Sequence, residues 1–266
     1  MSAATTTRVV AIANQKGGVG KTTTAVNVST WLAIDGALVL LVDLDPQANA
    51  TTGLGIDSRS VKASAYDVLV EQTAVDDAIV ETAVERLWCL PSSIDLAGAE
   101  IELVPAMSRE LRLRRALGPV LGRFDYVVID CPPSLGLLTV NALAAAGEVV
   151  VPIQCEYYAL DGLGQLLQNI NLIRANLNPG LRFSGIVLTM YDPRTRLAEE
   201  VVQEVRGHFS ELVYSTIVPR SVRLSEAPSF GQPIALYDPR SKGSEAYHAV
   251  AREMASDGSA TRGGAG

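Results

Sequence analysis

Ten consecutive residues constrain this chain more than any others: Asn14-Gln15-Lys16-Gly17-Gly18-Val19-Gly20-Lys21-Thr22-Thr23. An apolar run at 8–14 (RVVAIAN) precedes them, and a helical pattern at 22–35 follows, with Gly36 as its stop. A glycine-rich turn between a buried strand and a helix N-terminus is built for an oxyanion. The glycines let backbone N–H groups close around phosphate oxygens, and the helix end adds positive potential. In that geometry Lys21 reaches the β- and γ-phosphates of a nucleotide and the Thr22 hydroxyl binds Mg²⁺. Gly17, Gly18, Val19, Gly20 and Thr23 complete the cradle.

The remaining pattern predicts the sheet that such a loop needs. Apolar runs at 38–43 (LVLLVD), Tyr126–Asp130 (YVVID), 149–153 (VVVPI) and 186–190 (IVLTM) alternate with longer helical stretches. Continuous aliphatic runs, without polar alternation, mark strands covered on both faces. Strands alternating with helices mark an α/β fold: a doubly wound, mostly parallel central sheet with helices on both faces. Residues 51–123 read as mostly helical, with one further strand at Leu87–Leu90. The 266 residues, 48% hydrophobic and 19% charged, suffice for a large core and exclude a disordered chain. One domain is expected over 8–254, with flexible termini at 1–7 and 255–266. The tail from Ser256 (SDGSATRGGAG) is small, polar and Gly-rich.

Two further segments supply carboxylates. The run at 38–43 leads into Asp43-Leu44-Asp45-Pro46-Gln47-Ala48-Asn49, and the run at Tyr126–Asp130 into Asp130-Cys131-Pro132-Pro133. Carboxylates at the C-terminal ends of parallel strands lie beside a phosphate loop. Asp45 is expected to orient an attacking water or hold a metal-bound water, Asp43 to support its loop, and Asp130 to act on Mg²⁺ through a water.

Other chemistries are disfavoured. Cys89, Cys131 and Cys155 are odd in number and widely spaced, against a disulfide framework or a zinc site. His208 and His248 are too few for a metal centre. Neither a signal peptide nor an apolar run of about 18 residues is present, so a cytoplasmic protein with no membrane partner is expected. The net charge of −7 excludes a generally basic nucleic-acid coat, but the charge is uneven. Residues 1–169 carry 11 basic and 19 acidic side chains; residues 170–266 carry 11 and 10. A polyanion would meet the C-terminal third.

The run Lys16-Gly-Gly-Val-Gly-Lys-Thr departs from the usual G-x-x-x-x-G-K-[ST] loop, with Gln15 in place of the first glycine and an additional lysine at 16. It resembles the deviant Walker A motif of the ParA/MinD class of P-loop ATPases. The resemblance extends over roughly residues 8–254. It includes Ser92-Ser-Ile-Asp-Leu-Ala-Gly-Ala-Glu100, Gln154-Cys-Glu-Tyr-Tyr-Ala-Leu-Asp-Gly-Leu163, Val218-Pro-Arg-Ser-Val-Arg-Leu-Ser-Glu-Ala-Pro-Ser229 and Tyr237-Asp-Pro-Arg-Ser-Lys-Gly243. Together these look like the chromosomal ParA/Soj partition ATPases, and the segment at 218–229 is specific to that branch.

The resemblance implies a cycle with ATP and Mg²⁺ as cofactors. ATP drives a sandwich homodimer in which Lys16 crosses to the partner's nucleotide. The dimer binds double-stranded DNA without sequence preference. A ParB-type centromere-binding partner stimulates slow hydrolysis, with Lys16, Lys21 and Asp45 as the catalytic set, and the dimer leaves the nucleoid. Pro219 and Ser221 match positions near the adenine. Arg194 and Arg223 match DNA-contact positions, and Arg196, Arg220, Arg240 and Lys242 extend that surface; phosphate contacts of this kind are non-specific and salt-sensitive. Alternative readings are a ParA-like ATPase moving another cargo (a plasmid or a protein array), a MinD-like membrane-cycling ATPase, and an iron protein holding a cluster through cysteines such as Cys131 and Cys155. The tail composition disfavours the amphipathic helix that the membrane reading requires.

Overall fold

The structure, a computed structural model, describes residues 6–156 and 161–260. Among these, the aliphatic runs form one eight-stranded sheet. Its strands are β1 (Arg8–Ile12), β2 (Val39–Asp43), β3 (Val80–Glu81), β4 (Leu87–Leu90), β5 (Tyr126–Asp130), β6 (Glu148–Gln154), β7 (Arg182–Tyr191) and β8 (Val213–Pro219). Their spatial order is β3-β4-β2-β5-β1-β6-β7-β8. Every pairing is parallel except the short β3–β4 edge pair.

The helices are α1 (Lys21–Ile34), α2 (Asn49–Gly53), α3 (Val75–Ala78), α4 (Leu96–Glu102), α5 (Arg112–Leu117), α6 (Leu137–Ala145), α7 (Asp161–Asn176), α8 (Arg196–Phe209), α9 (Val222–Glu226), α10 (Ile234–Tyr237) and α11 (Lys242–Ala260). Successive strand residues point to opposite faces. Leu40, Val42, Val127 and Ile129 therefore meet Leu96, Leu113, Leu117, Leu138, Leu143, Leu166 and Val205, from α4 to α8. Val39, Leu41 and Val128 meet Val28 and Leu32 of α1 and Tyr247, Val250 and Met254 of α11. Each such aliphatic side chain contributes about 1.5–3 kcal/mol on full burial. With both faces covered, the central strands need no polar alternation.

Two strands escape the pattern. β8 mixes Tyr, Ser and Thr with its aliphatics and lies at the sheet edge, where only part of the strand is buried. β3 is two residues long and partly exposed. The C-terminal helix runs to Ala260, five residues into the segment whose composition predicts a flexible tail. A helix already nucleated and docked on α1 and β8 extends at little cost through Ala, Ser and Asp. The expected flexible ends at 1–5 and 261–266 lie outside the described residues.

Candidate active site

Register brings the functional segments to one edge. In β2, Asp43 pairs with Asp130 of β5, and in β1, Ile12 also pairs with Asp130. The loop after Ile12 therefore starts beside both carboxylate-bearing strand ends. Asn14 anchors it: its amide donates to the Pro152 carbonyl at 2.8 Å, and its Oδ1 accepts the Lys16 N–H at 3.0 Å. Gly18 (φ +73°) and Gly20 (φ +88°) adopt the left-handed conformation that closes the turn. Gly20 is also the N-cap of α1, so Lys21 and Thr22 open the helix.

Lys21 is buried and its Nζ donates to the Lys16 carbonyl at 3.0 Å. Burial pushes the ammonium pKa down, while Asp130, Cys131 and Asp45 act the other way. The charge is thus held ready for an anion at the helix N-terminus. From the opposite side, the Thr189 hydroxyl of β7 lies 2.9 Å from the Val19 carbonyl and 3.2 Å from that of Ile153, tying the loop to the sheet.

Asp43 is fully buried and organises the neighbouring loop. Its Oδ1 accepts the Asp45 N–H at 3.1 Å; its Oδ2 accepts the Thr51 N–H at 2.9 Å and hydroxyl at 2.7 Å. Thr51 Oγ1 in turn accepts the Ser92 N–H, and the Ser92 hydroxyl donates to the Asp45 carbonyl at 2.7 Å. Asp45 Oδ1 accepts the Gln47 N–H at 3.0 Å. Burial raises the Asp43 pKa to about 6, against the bonds from Thr51.

Asp130 is the unusual group. It is fully buried, and neither carboxylate oxygen has a hydrogen-bond partner. Burial, with Asp43 and Asp45 nearby, pushes its pKa well above the carboxylate range, while Thr22 and Lys21 oppose the shift. An unbonded buried carboxylate is costly unless a cation or a bound water completes it. Among the described residues no cluster of three or more His, Cys, Asp and Glu could hold a metal. Magnesium needs none, since it takes few protein oxygens and keeps several waters beside the phosphates. The orphaned Asp130 oxygens and the Thr22 hydroxyl fit that ion.

A cavity of about 610 Å³ runs from the loop toward the β8 edge, at the same C-terminal end of the sheet. One wall is Gly20, Thr22 and Thr23; the other is Val218, Pro219, Arg220, Ser221, Leu224 and Ser225. Lys16, Lys21, Asp45 and Asp130 do not line it. Asn27, not singled out from the sequence, clamps the floor: its amide donates to the Thr23 carbonyl and its Oδ1 accepts the Ile234 N–H, both at 2.8 Å. Thr189, Thr51 and Asn27 carry no motif of their own, and Asn14 and Ser92 stand in quoted segments that do not betray their partners. Only contacts across 8 to 207 positions reveal them.

The basic residues lie apart from this cavity, save Arg220, which lines its mouth. All six are exposed. Arg194 bonds the Asp192 carboxylate at 2.9 and 2.7 Å, Arg196 pairs with Glu200, and Arg220 with Glu156 at 3.3 Å. Arg223 pairs with Glu226 at 3.1 Å and Asp238 at 3.5 Å. The Arg220 N–H donates to the Tyr191 carbonyl, placing the residues after β7 and β8 side by side.

The three thiols are buried and free, and burial pushes each thiol pKa up. Among the described residues no helix is long and apolar enough to cross a membrane.

A family model described as an AAA domain matches residues 7–183. The sporulation initiation inhibitor protein Soj of Bacillus subtilis is 57% identical over 251 residues, spanning 94% of this chain and 99% of that protein. The chromosome partitioning protein ParA of Myxococcus xanthus is 53% identical over 251 residues, spanning 94% and 89%. A crystal structure from Mycobacterium smegmatis, described as cobyrinic acid a,c-diamide synthase with bound ADP and magnesium, superposes with a TM-score of 0.81 at 42% identity, covering 92% of this chain and 93% of that one. With the deviant loop and the paired strand-end carboxylates on one mostly parallel sheet beside the 218–229 wall, and with Soj and ParA matched over most of their length, the chain belongs to the ParA/Soj family of chromosome-partitioning P-loop ATPases.

Proposed function

We propose that this chain is an ATP-dependent partition switch: ATP and Mg²⁺ assemble a sandwich homodimer that binds duplex DNA non-specifically, and hydrolysis stimulated by a ParB-type partner releases it. What supports the reading is a cavity walled by Gly20, Thr22 and Thr23 of the phosphate loop on one side and by residues of the 218–229 segment on the other, with Asp43 and Asp130 paired at the neighbouring strand ends. Lys21 and the loop amides bind the phosphates. Asp130 and Thr22 hold magnesium, which when bound neutralises charge developing on the transferred phosphoryl group. Asp45, fixed by the Asp43–Thr51–Ser92 network, orients the attacking water. Pro219 and Ser221 flank the base. Lys16 is half-buried with its backbone engaged at both ends, and its side chain is the one that crosses to the partner's phosphates. Such a contact forms only when the partner's phosphates offset its desolvation.

The exposed arginines supply the DNA surface. Interferometry with random duplexes tests the reading: wild type binds with a non-hydrolysable ATP analogue and not with ADP. Arg194→Glu and Arg223→Glu abolish that binding while the ATP-dependent dimer persists. Equal binding by wild type in both nucleotide states overturns it.

The likeness to a diamide synthase raises an amide-transfer reading, which requires a reactive thiol near a histidine. Cys89, Cys131 and Cys155 are buried with raised pKa values, and His248 stacks on Trp31 and bonds Asp35. The described residues favour the partition reading.

A further inference from the structure

Two glycines distant in sequence meet backbone to backbone. Gly55 (φ +78°) follows α2, and Gly231 (φ +63°) follows α9 and its 3₁₀ continuation Ala227–Phe230. A Cβ on Gly55 would lie 2.9 Å from the Gly231 carbonyl oxygen; a Cβ on Gly231 would lie 2.9 Å from the Gly55 Cα and 3.6 Å from the Thr52 carbonyl oxygen. Contacts this short leave no room for any side chain on either partner.

Each glycine ends an element tied to one half of the proposed cycle. On one side, α2 begins four residues after Asp45, and its Thr51 is held by both the Asp43 carboxylate and Ser92. Asn49 and Thr52 of α2 line the cavity. On the other side, residues 222–230 are continuously helical. That segment turns Leu224 and Ser225 into the cavity and carries Arg223 on its exposed side. Its far edge is wedged in place, because a Cβ on Gly243 at the start of α11 would meet Leu224 at 2.8 Å. A short rigid segment held at one edge by α11 and touched at its end by α2 transmits a shift of α2 to Arg223, since close-packed backbone cannot absorb it.

We infer that the Gly55–Gly231 contact is a positioning device: it couples the state of the Asp45 loop to the presentation of Arg223. This rests on the proposed DNA role of Arg223. Arg223 is paired with Glu226 and Asp238, and displacing α9 relative to Asp238 on the following turn changes that pairing.

The test uses the full chain and random duplex DNA. Gly231→Ala and Gly55→Ala each wedge the contact apart. Gly36→Ala is the control: Gly36 also has positive φ (+107°), but its Cβ would meet nothing within 4 Å. The readout is the ratio of DNA affinities with a non-hydrolysable ATP analogue and with ADP, beside analogue binding, dimer mass and melting temperature. The expected result is at least a tenfold fall in that ratio for both wedge variants, with analogue binding and the dimer retained, and no fall for Gly36→Ala. A purely structural contact would lower the melting temperature of all three and leave the ratio unchanged, which overturns the inference. Loss of the ATP dimer in the wedge variants also overturns it, as would a normal ratio in whichever wedge variant folds. If Arg223→Glu binds DNA normally, the DNA role of Arg223 fails instead, a result separable from the others.

Discussion

At the residue scale, the site contrasts charges that are satisfied with charges that wait. Asp43 accepts three hydrogen bonds; Asp130 accepts none. Lys21 is the cation that acts on Asp130, and Lys21→Ala should weaken ATP binding about 10- to 100-fold, the equivalent of one buried charge-assisted contact. Lys16→Ala should instead retain ATP and lose the dimer, visible by light scattering; a stable ATP dimer would refute its crossing role. Asp45→Ala should bind ATP, dimerise and remain on DNA without turnover, and wild-type hydrolysis by this variant would reduce Asp45 to a loop-shaping residue. The acid pair also predicts a pH effect. Asp43 and Asp130 have folded pKa values raised above their unfolded ones, Asp43 to about 6. The fold therefore binds more protons than the unfolded chain, and its stability falls as pH rises from about 4 through 6. Thermal melts across that window should show the decline, and Asp43→Asn should lessen it, leaving the part that Asp130 contributes.

At the element scale, the phosphate loop depends on strands far from it in sequence. Thr189 of β7 reaches over β6 to the Val19 carbonyl. Thr189→Val keeps the shape and deletes the hydroxyl, leaving buried carbonyls less satisfied, at a cost of about 1–3 kcal/mol. A lowered melting temperature with a parallel loss of ATP affinity is expected; a melting temperature unchanged from wild type would show that other contacts hold the loop. The opposite edge of the site depends on β8, whose mixed composition conceals it as a strand. Its last residue, Pro219, pairs with Tyr191, and this pairing aligns the cavity wall with the loop that carries Arg194.

At the scale of the whole molecule, the basic side chains singled out for DNA lie on one side of the sheet, interleaved with carboxylates that pair with them. Arg194, Arg196, Arg220 and Arg223 follow β7 and β8, at the sheet edge opposite β3 and β4. DNA binding through such residues should fall with salt with a log–log slope of about −0.9 per phosphate neutralised, and vary little between random sequences. A slope near zero, or a strong sequence preference, would exclude this surface as the DNA contact. The molecule is stapled at its other end by Arg8, which bonds both Glu148 oxygens at 2.9 and 2.7 Å across β1 and β6. Burial alone would raise the Glu148 pKa, but Arg8 holds it below the usual carboxylate range.

The chain's local chemistry determined much of this. The loop at 14–23, the four central strands flanking it and the strand-end carboxylates Asp45 and Asp130 are legible because each depends on residues adjacent in sequence: glycines for a turn, aliphatic runs for strands buried on both faces, an acid where a strand ends. Tertiary structure alone decided which acid is hydrogen-bonded within the protein and which is not, since the Asp43–Thr51–Ser92 bonds and the unpartnered burial of Asp130 arise from strand register. It also decided that Thr189 and Asn27 brace the site and that Gly55 meets Gly231. A short polar side chain or a glycine has no periodicity to betray its partner; the partner is chosen only when the sheet order brings separate loops together.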